Sequence, residues 1–285
     1  MRNSLKQIAS SARTEYVSWI TNPRVVILGV LLIFIKTLAI DPLSNRAEKF
    51  GEKMIFWEPF IAVGNSQMLM LFIPLVFLML LSDYPKLGGN ALFYISRIGK
   101  RNWLCGQILF LIMAIGTFMA AILGASILFS GGRFGDNWSD AVTKYGARFP
   151  AEAYNFDSQL LPSNLYNQIP MITAVVQTFV LMSAYLLVLA LTIYALKICF
   201  NNSSGLAAAV GVIAAGTAST MFGTGLRWAL PASNTIVWMH YTEILSEPVY
   251  PVWASFAYFG AVLAALVALN FTALKKLKFT ESVEL

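Results

Sequence analysis

Few side chains in this sequence have the type and spacing that catalysis or metal binding requires. His240 is the single histidine, and no cysteine or acidic cluster lies near it in the sequence, which argues against a metal site. No His-Glu-x-x-His segment occurs, and no glycine-rich phosphate loop ends in Lys-Ser or Lys-Thr. A serine–histidine pair would have to use His240, outside the apolar segments. We therefore predict no catalytic, metal-binding or cofactor-binding residue and no enzymatic activity on this chain.

Polar residues inside the apolar segments are the next candidates. Lys36 is the one clear charge there, and at the centre of a bilayer a lysine costs about 3 kcal/mol. Asp41 follows nearby in the sequence, so we favour a lysine that extends to the membrane surface over one used in transport chemistry. The uncharged polar residues could line a pathway or hydrogen-bond between helices, and the sequence does not separate these roles. They are Gln107, Gln177, Tyr185, Tyr194 and Asn270.

The composition predicts the environment in which these residues lie. Hydrophobic residues make up 58% of the chain and charged residues 12%, whereas soluble domains have about 45–50% and about 25%. A soluble globule must cover its outside with polar groups, and this chain has too few. The net charge of +6 forms no basic stripe with interleaved aromatics, which argues against nucleic acid. We predict an all-α integral membrane protein.

Apolar segments define the predicted membrane spans. A membrane helix needs about 20 apolar residues to cross about 30 Å of hydrocarbon. Small residues recur at every fourth position in the third, fifth and sixth segments, which predicts a compact bundle or a dimer interface. The six predicted spans cover residues 23–40, 67–81, 103–129, 171–196, 205–225 and 251–272.

The distribution of charge predicts the orientation. Twelve basic and four acidic residues fall on one side of the spans, and eight basic and ten acidic residues on the other. Because basic residues are enriched on the cytoplasmic side, we predict a plasma-membrane protein with both termini cytoplasmic. Residues 1–22 form an amphipathic pattern typical of a helix in the inner interface. In this orientation the loop 82–102 and the C-terminal tail 273–285 are on the inner, cytoplasmic side. The loops 41–66, 130–170 and 226–250 are on the outer side.

The inner loop 82–102 has the most informative sequence. Pro85 and the following glycine pair predict a turn, and a short amphipathic run with a basic cluster follows. Such a segment could present apolar and aromatic side chains to a cytoplasmic partner. It could equally be an interfacial loop that obeys the charge rule.

The residues of this loop resemble those of a known family. Leu81-Ser82-Asp83-Tyr84-Pro85, followed by the segment from Ile95 to Trp103, resembles the loop of small bacterial permeases, the membrane subunits of type-2 ABC transporters. Tyr250-Pro251-Val252-Trp253, which opens the last span, is also similar to their end. The resemblance covers nearly the whole chain in topology, although the outer loop 130–170 is longer than the family's minimal pattern. It implies an N-terminal elbow helix, six spans and a coupling helix. The implied coupling residues are Asp83, Tyr84, Pro85, Leu92, Phe93, Ile95, Arg97, Lys100 and Arg101.

The resemblance also implies a function and partners. The chain would be the membrane subunit of an exporter for a peptide, a lipid or an amphiphilic compound. Separate cytoplasmic ATPase subunits would bind ATP and Mg²⁺, and a second membrane subunit, identical or related, would complete the path. The alternative is a stand-alone membrane protein that binds a substrate or senses a ligand. A lipid-modifying enzyme, the third possibility, lacks an acid, base and metal constellation.

Overall fold

Apolar α-helices form the structure, a computed structural model that describes residues 2–87, 90–152, 155, 159–200, 204–242 and 248–276. Five helical segments of the described chain are long and apolar enough to cross a membrane, and one bent helix pair makes up to six. This confirms the prediction of an all-helical chain with several helices of membrane-spanning character. The orientation of the termini stays a prediction.

The helices are numbered along the chain, and short 3₁₀ and π-helical turns connect several of them. Their bounds are α1 (Arg2–Ile20), α2 (Val26–Ile35), α3 (Asp41–Phe50), α4 (Trp57–Asn65), α5 (Leu69–Leu81), α6 (Asn90–Ile98), α7 (Lys100–Ser130), α8 (Asp140–Thr143), α9 (Tyr145–Arg148), α10 (Ser163–Tyr166), α11 (Met171–Phe200), α12 (Ser204–Met221), α13 (Pro231–Thr235) and α14 (Val252–Lys276).

The first span continues beyond Ile40, where the sequence predicts an outer loop. A π-helical turn at Lys36–Ile40 joins α2 directly to α3, and the whole segment runs from Pro23 to Phe50. Pro42 is tolerated in the first turn of α3, and Gly51 ends the helix with φ +80°. The fall in hydropathy at Asp41 therefore marks the end of the apolar run and not the end of the helix.

The second apolar segment is bent. α4 and α5 meet at an angle of 88°, whereas the sequence predicts one span over 67–81 and a loop before it. α5 has thirteen residues, about 20 Å of helix, which is too short to cross about 30 Å of hydrocarbon alone. α4 is buried along its length from Glu58 to Asn65. The predicted outer loop 41–66 is thus two helices, one of them inside the bundle.

α11 is the central helix of the bundle. It packs against α4, α7, α12 and α14, and 61% of its most apolar stretch is buried against 11% for α14. Gly260, Ala264 and Ala268 all lie on exposed parts of α14. Among the described residues this ladder of small residues has no packing partner, so it is available to lipid or to another subunit.

α1 packs along the beginning of α7. Gly106 permits this close approach, because a Cβ there would lie 2.7 Å from the Cβ of Ser11. The hydroxyls of Tyr16 and Thr117 are 2.8 Å apart, and Trp19 is buried against Phe110 at a ring separation of 6.4 Å. The predicted amphipathic face thus covers a helix of this chain, while its position relative to the membrane surface stays a prediction.

Residues 231–237, which include α13, lie inside the bundle and are all buried. α13 packs against α11, α12 and α14. We call residues 231–240 the inserted segment. The sequence predicts that 226–250 contains a short helix that rests in the outer interface or re-enters shallowly, and the position of this segment relative to the membrane stays a prediction.

Candidate functional site

A polar cavity of about 380 Å³ lies beside α3, where the 130–170 loop folds back onto that helix. We call it the loop-end cavity. The cavity is lined by Pro42, Asn45, Arg46, Glu48, Lys49, Tyr145, Glu152 and Asn155. None of these residues was predicted from the sequence to have a functional role.

Charged and aromatic groups are held close together in the loop-end cavity. The guanidinium of Arg46 lies 4.3 Å from the centroid of the Tyr145 ring. Lys49 Nζ is 2.9 Å from Glu152 Oε2, and the Tyr145 hydroxyl donates a hydrogen bond to the same carboxylate. The bonds from Tyr145 and Lys49 lower the pKa of Glu152 below its usual value. Glu152 is therefore ionised at neutral pH, and the cavity presents both signs of charge.

α3 positions the basic side of this cavity. Arg46 and Lys49 are three residues apart on one helix, so they share a face. Their partners, Tyr145 and Glu152, follow about a hundred residues later in the sequence. No local pattern connects the two segments, and the sequence therefore gives no signal for the cavity.

Glu58 fixes the loop over the bundle. The side chain is 1% exposed. Its Oε1 accepts a hydrogen bond from the backbone N–H of Ser139 at 2.8 Å, and its Oε2 accepts one from that of Ile55 at 3.1 Å. The carboxylate thus joins α4 to the residue that precedes α8. Glu58 has no distinctive signal in the sequence, since it is a lone acid before an apolar run.

Asn65 holds the bend between α4 and α5. Its Oδ1 accepts from the backbone N–H of Val237 at 2.6 Å, and its Nδ2 donates to Thr178 Oγ1 at 2.9 Å. Its backbone carbonyl accepts from the indole of Trp238 at 2.9 Å. One buried residue therefore ties the bend to α11 and to the inserted segment.

We expect Asn65→Ala to lower the free energy of unfolding by about 2 kcal/mol. The change leaves the buried N–H of Val237 and the hydroxyl of Thr178 without their partner. Thermal unfolding of the purified chain in detergent measures the effect. Asn45→Ala, at an exposed position on α3, is the matched control and should shift stability by no more than about 0.5 kcal/mol. Equal melting temperatures for the two variants would contradict this role.

The first residues of the predicted coupling loop are anchored to the bundle. Asp83 forms an ion pair with Arg24 at 2.8 Å, and its backbone carbonyl accepts from Lys197 Nζ at 2.9 Å. Tyr84 is 1% exposed and packs on Phe110 with ring centroids 4.9 Å apart. Pro85 is also buried.

These contacts bear on the coupling role that the resemblance implies for Tyr84, and that role stays a prediction. The resemblance implies a residue that meets a partner, but burial leaves Tyr84 no surface to offer in this conformation. The ring instead fixes the loop against α7, and the ammonium of Lys86 lies 5.0 Å from its centroid. Tyr84 is a core residue at this end of the bundle.

α6 supplies the surface of the loop. Ile95 is fully buried in an apolar cluster with residues of α7, α11 and α14. Arg97 and Arg101 are exposed and Lys100 is half-buried. The side chains of Leu92 and Phe93 lie outside the described part of the structure. The other members of the cluster are Trp103, Leu104, Ile198, Ala273 and Leu274.

Most of the predicted pathway residues lie between helices. Gln107 Nε2 donates to Glu15 Oε1 at 3.3 Å, and Gln107 Oε1 accepts from the Tyr194 hydroxyl at 3.1 Å. This chain of bonds links α1, α7 and α11. Asn270 Nδ2 donates to the carbonyl of Leu191 at 3.0 Å and joins α14 to α11. Tyr185 is fully buried and Gln177 half-buried. Gln107, Tyr194 and Asn270 therefore form hydrogen bonds between helices in this conformation. Whether any of them also lines a pathway stays a prediction.

Lys36 pairs with the acid that follows it. Its Nζ lies 2.7 Å from Asp41 Oδ1, and each side chain is 42% exposed. The charge is therefore compensated one turn along the same helical segment, as expected for a lysine that extends toward the end of its span.

His240 and Ser255 form a buried pair. His240 Nε2 lies 3.0 Å from Ser255 Oγ, which donates to Asn234 Oδ1 at 2.7 Å. Burial lowers the pKa of His240 to about 4, so the ring is neutral at pH 7. Both side chains are fully buried, and the hydroxyl hydrogen of Ser255 is directed to Asn234. The pair cannot reach a substrate here, and it anchors the inserted segment to α14.

The described residues were also compared with the patterns of metal sites, and the chain with known proteins, and neither comparison gave a match. Within the described ranges, no three residues of the types His, Cys, Asp and Glu are grouped so that they could hold a metal ion. No protein-family model, curated protein or solved structure matches the chain.

Proposed function

We propose that this chain is the membrane subunit of an ATP-driven transporter, an exporter whose ATPase is a separate cytoplasmic chain. The observation that carries the proposal is the position of α6. This short helix lies outside the spans and packs on α7. Its buried Ile95 belongs to one apolar cluster with residues at the ends of α7, α11 and α14. Because packed side chains transmit strain, we expect a displacement of α6 to act on the cluster that joins these three spans.

The chemistry of the chain favours an external source of energy. The sequence has no phosphate-binding loop, so ATP and Mg²⁺ belong to the partner. Arg97, exposed on α6, offers a charge to an acidic partner surface. The resemblance of Leu81 to Pro85 and Ile95 to Trp103 to permease loops supports the same assignment. The basic end of the bundle, with both termini, then faces the cytoplasm of a cell membrane.

A second membrane subunit fits the exposed face of α14. Gly260, Ala264 and Ala268 lie there, and no helix of the described chain covers them. Small residues permit close approach between helices in lipid. The substrate path would form between the two subunits, with the 130–170 loop above its exit. The cargo would be a peptide, a lipid or another amphiphile, because the spans offer apolar surface with scattered amides and hydroxyls.

Affinity purification of the tagged chain from its native membrane in mild detergent tests the partner. We expect mass spectrometry to find a stoichiometric chain with a nucleotide-binding phosphate loop. Arg97→Glu should reduce the amount of this ATPase by about tenfold, since reversing a charge at an interface opposes the partner's acidic groups. Arg13→Glu, an equal reversal at an exposed position on α1, should leave it unchanged.

Two outcomes would contradict the proposal. One is a folded chain that purifies without any ATPase in the mildest detergents. The other is an ATPase lost equally from the Arg97 and Arg13 variants, which would assign the binding to charge in general and not to α6.

A stand-alone binding or sensory protein is the second candidate, and the loop-end cavity favours it. That cavity holds Arg46, Lys49 and Glu152 beside the Tyr145 ring in about 380 Å³, a setting suited to a small zwitterionic ligand. Tight binding of such a ligand by the chain purified alone, abolished by Glu152→Ala, would select this function over ATP-driven export.

A further inference from the structure

A second cleft lies at the opposite end of the bundle from the loop-end cavity, between the start of α7 and the end of α14. Its volume is about 480 Å³, and it is lined by Lys100, Arg101, Phe271, Leu274 and Lys275. We call it the basic cleft. Its rim is cationic and its wall is apolar, a division expected of a site for an amphiphile.

The described residues of the basic cleft carry charge of one sign. Lys100, Arg101 and Lys275 contribute positive charge, and no acidic residue is among the described residues that line it. In the described part of the chain, neither Arg101 nor Lys275 forms an ion pair. Two acids of the described chain, Asp83 and Glu15, have other partners, since Asp83 pairs with Arg24 and Glu15 accepts a hydrogen bond from Gln107. The cleft therefore attracts an anion.

The position of the cleft indicates the kind of anion. α7 and α14 are both long and apolar enough to cross a membrane, and the basic residues stand at their ends. Such residues lie at the depth of lipid headgroups. Phe271 and Leu274 continue the wall one turn into α14, where an acyl chain would run. A small soluble anion would gain nothing from this apolar wall.

We propose that the basic cleft is a specific site for an anionic phospholipid, with the phosphate at Arg101 and Lys275 and an acyl chain along Phe271 and Leu274. A charged phosphate forms strong hydrogen bonds with arginine and lysine. A bound lipid would also fill the gap between α7 and α14 beside the cluster that contains Ile95. This inference is independent of the proposed ATPase and holds for either candidate function.

Native mass spectrometry of the full chain in detergent tests the site. The chain is mixed with equal amounts of phosphatidylglycerol and phosphatidylcholine, and we expect one phosphatidylglycerol to remain bound. Arg101→Gln combined with Lys275→Gln should weaken this binding about thirtyfold, because each basic residue near anionic lipid contributes about fivefold. Both positions are exposed, so the variant should unfold at the same temperature as the unaltered chain.

The control variant combines Lys6→Gln with Arg13→Gln, two exposed basic residues of α1, and should bind phosphatidylglycerol normally. Equal retention by the two double variants would overturn the proposal, as would equal retention of phosphatidylcholine. Displacement of the lipid by inorganic phosphate alone would assign the cleft to a soluble anion. A dimer that dissociates only in the Arg101 and Lys275 variant would assign it to a second copy of the chain.

Discussion

Glu58→Leu should destabilise the protein more than any other single change considered, by about 3–5 kcal/mol. The carboxylate is buried and accepts the backbone N–H groups of Ile55 and Ser139 at 3.1 and 2.8 Å. Leucine offers no acceptor, so two buried donors lose their partners and the nearby Arg46 loses a compensating charge. The melting temperature of the purified chain in detergent measures the loss.

The same variant should release the 130–170 loop. Ser139 precedes α8, and its bond to Glu58 joins that loop to α4. Limited proteolysis should therefore cut Glu58→Leu within 130–170 at least several-fold faster than the unaltered chain. Glu48→Leu, the same substitution at an exposed position of α3, is the control. Matching stability and cleavage in the two variants would show that Glu58 does not anchor the loop.

Gly205→Ala should separate α11 from α12. A Cβ at this position would lie 2.7 Å from the carbonyl oxygen of Ile193 and 2.9 Å from its Cα. These are backbone atoms of α11, which cannot rotate aside as a side chain would, so α12 must move. We expect a loss of about 2–3 kcal/mol in unfolding free energy, measured by thermal unfolding in detergent.

Gly211→Ala is the matched control on the same helix. A Cβ at Gly211 would meet nothing within 4 Å. Since alanine is the better helix former, we expect stability to be unchanged or higher by up to about 1 kcal/mol. If Gly205→Ala proved as stable as Gly211→Ala, the close packing of α11 and α12 would be contradicted.

The spans at α7, α11, α12 and α14 could be predicted to within a few residues from apolar runs alone. Each side chain contributes nearly independently to the free energy of inserting a segment into the membrane. An apolar run of about 20 residues therefore predicts a span wherever it occurs in the sequence. The bend between α4 and α5 could not be predicted in this way. Hydropathy does not indicate the angle at which two helices meet. The hydrogen bonds of Asn65 with Thr178 and Val237, which hold the bend, join residues more than a hundred positions apart in the sequence.

The candidate sites show the same division. The sequence marks Arg97, Lys100 and Arg101 as a basic cluster, and the structure leaves Arg97 and Arg101 exposed. The sequence gives Tyr84 as a candidate coupling residue in the same loop. Only its packing on Phe110 in the structure reveals that this ring is buried. The loop-end cavity has no local signature, because Arg46 and Tyr145 meet only after the 130–170 loop folds back.

Composition and spacing within short segments were enough to predict a membrane protein with about six spans and no phosphate-binding loop. Only the tertiary structure reveals the bend between α4 and α5, the buried His240, the two cavities and the apolar cluster that Ile95 shares with three helices. These features arise from burial and hydrogen bonds between distant residues, whose energies exist only once the chain has brought them together.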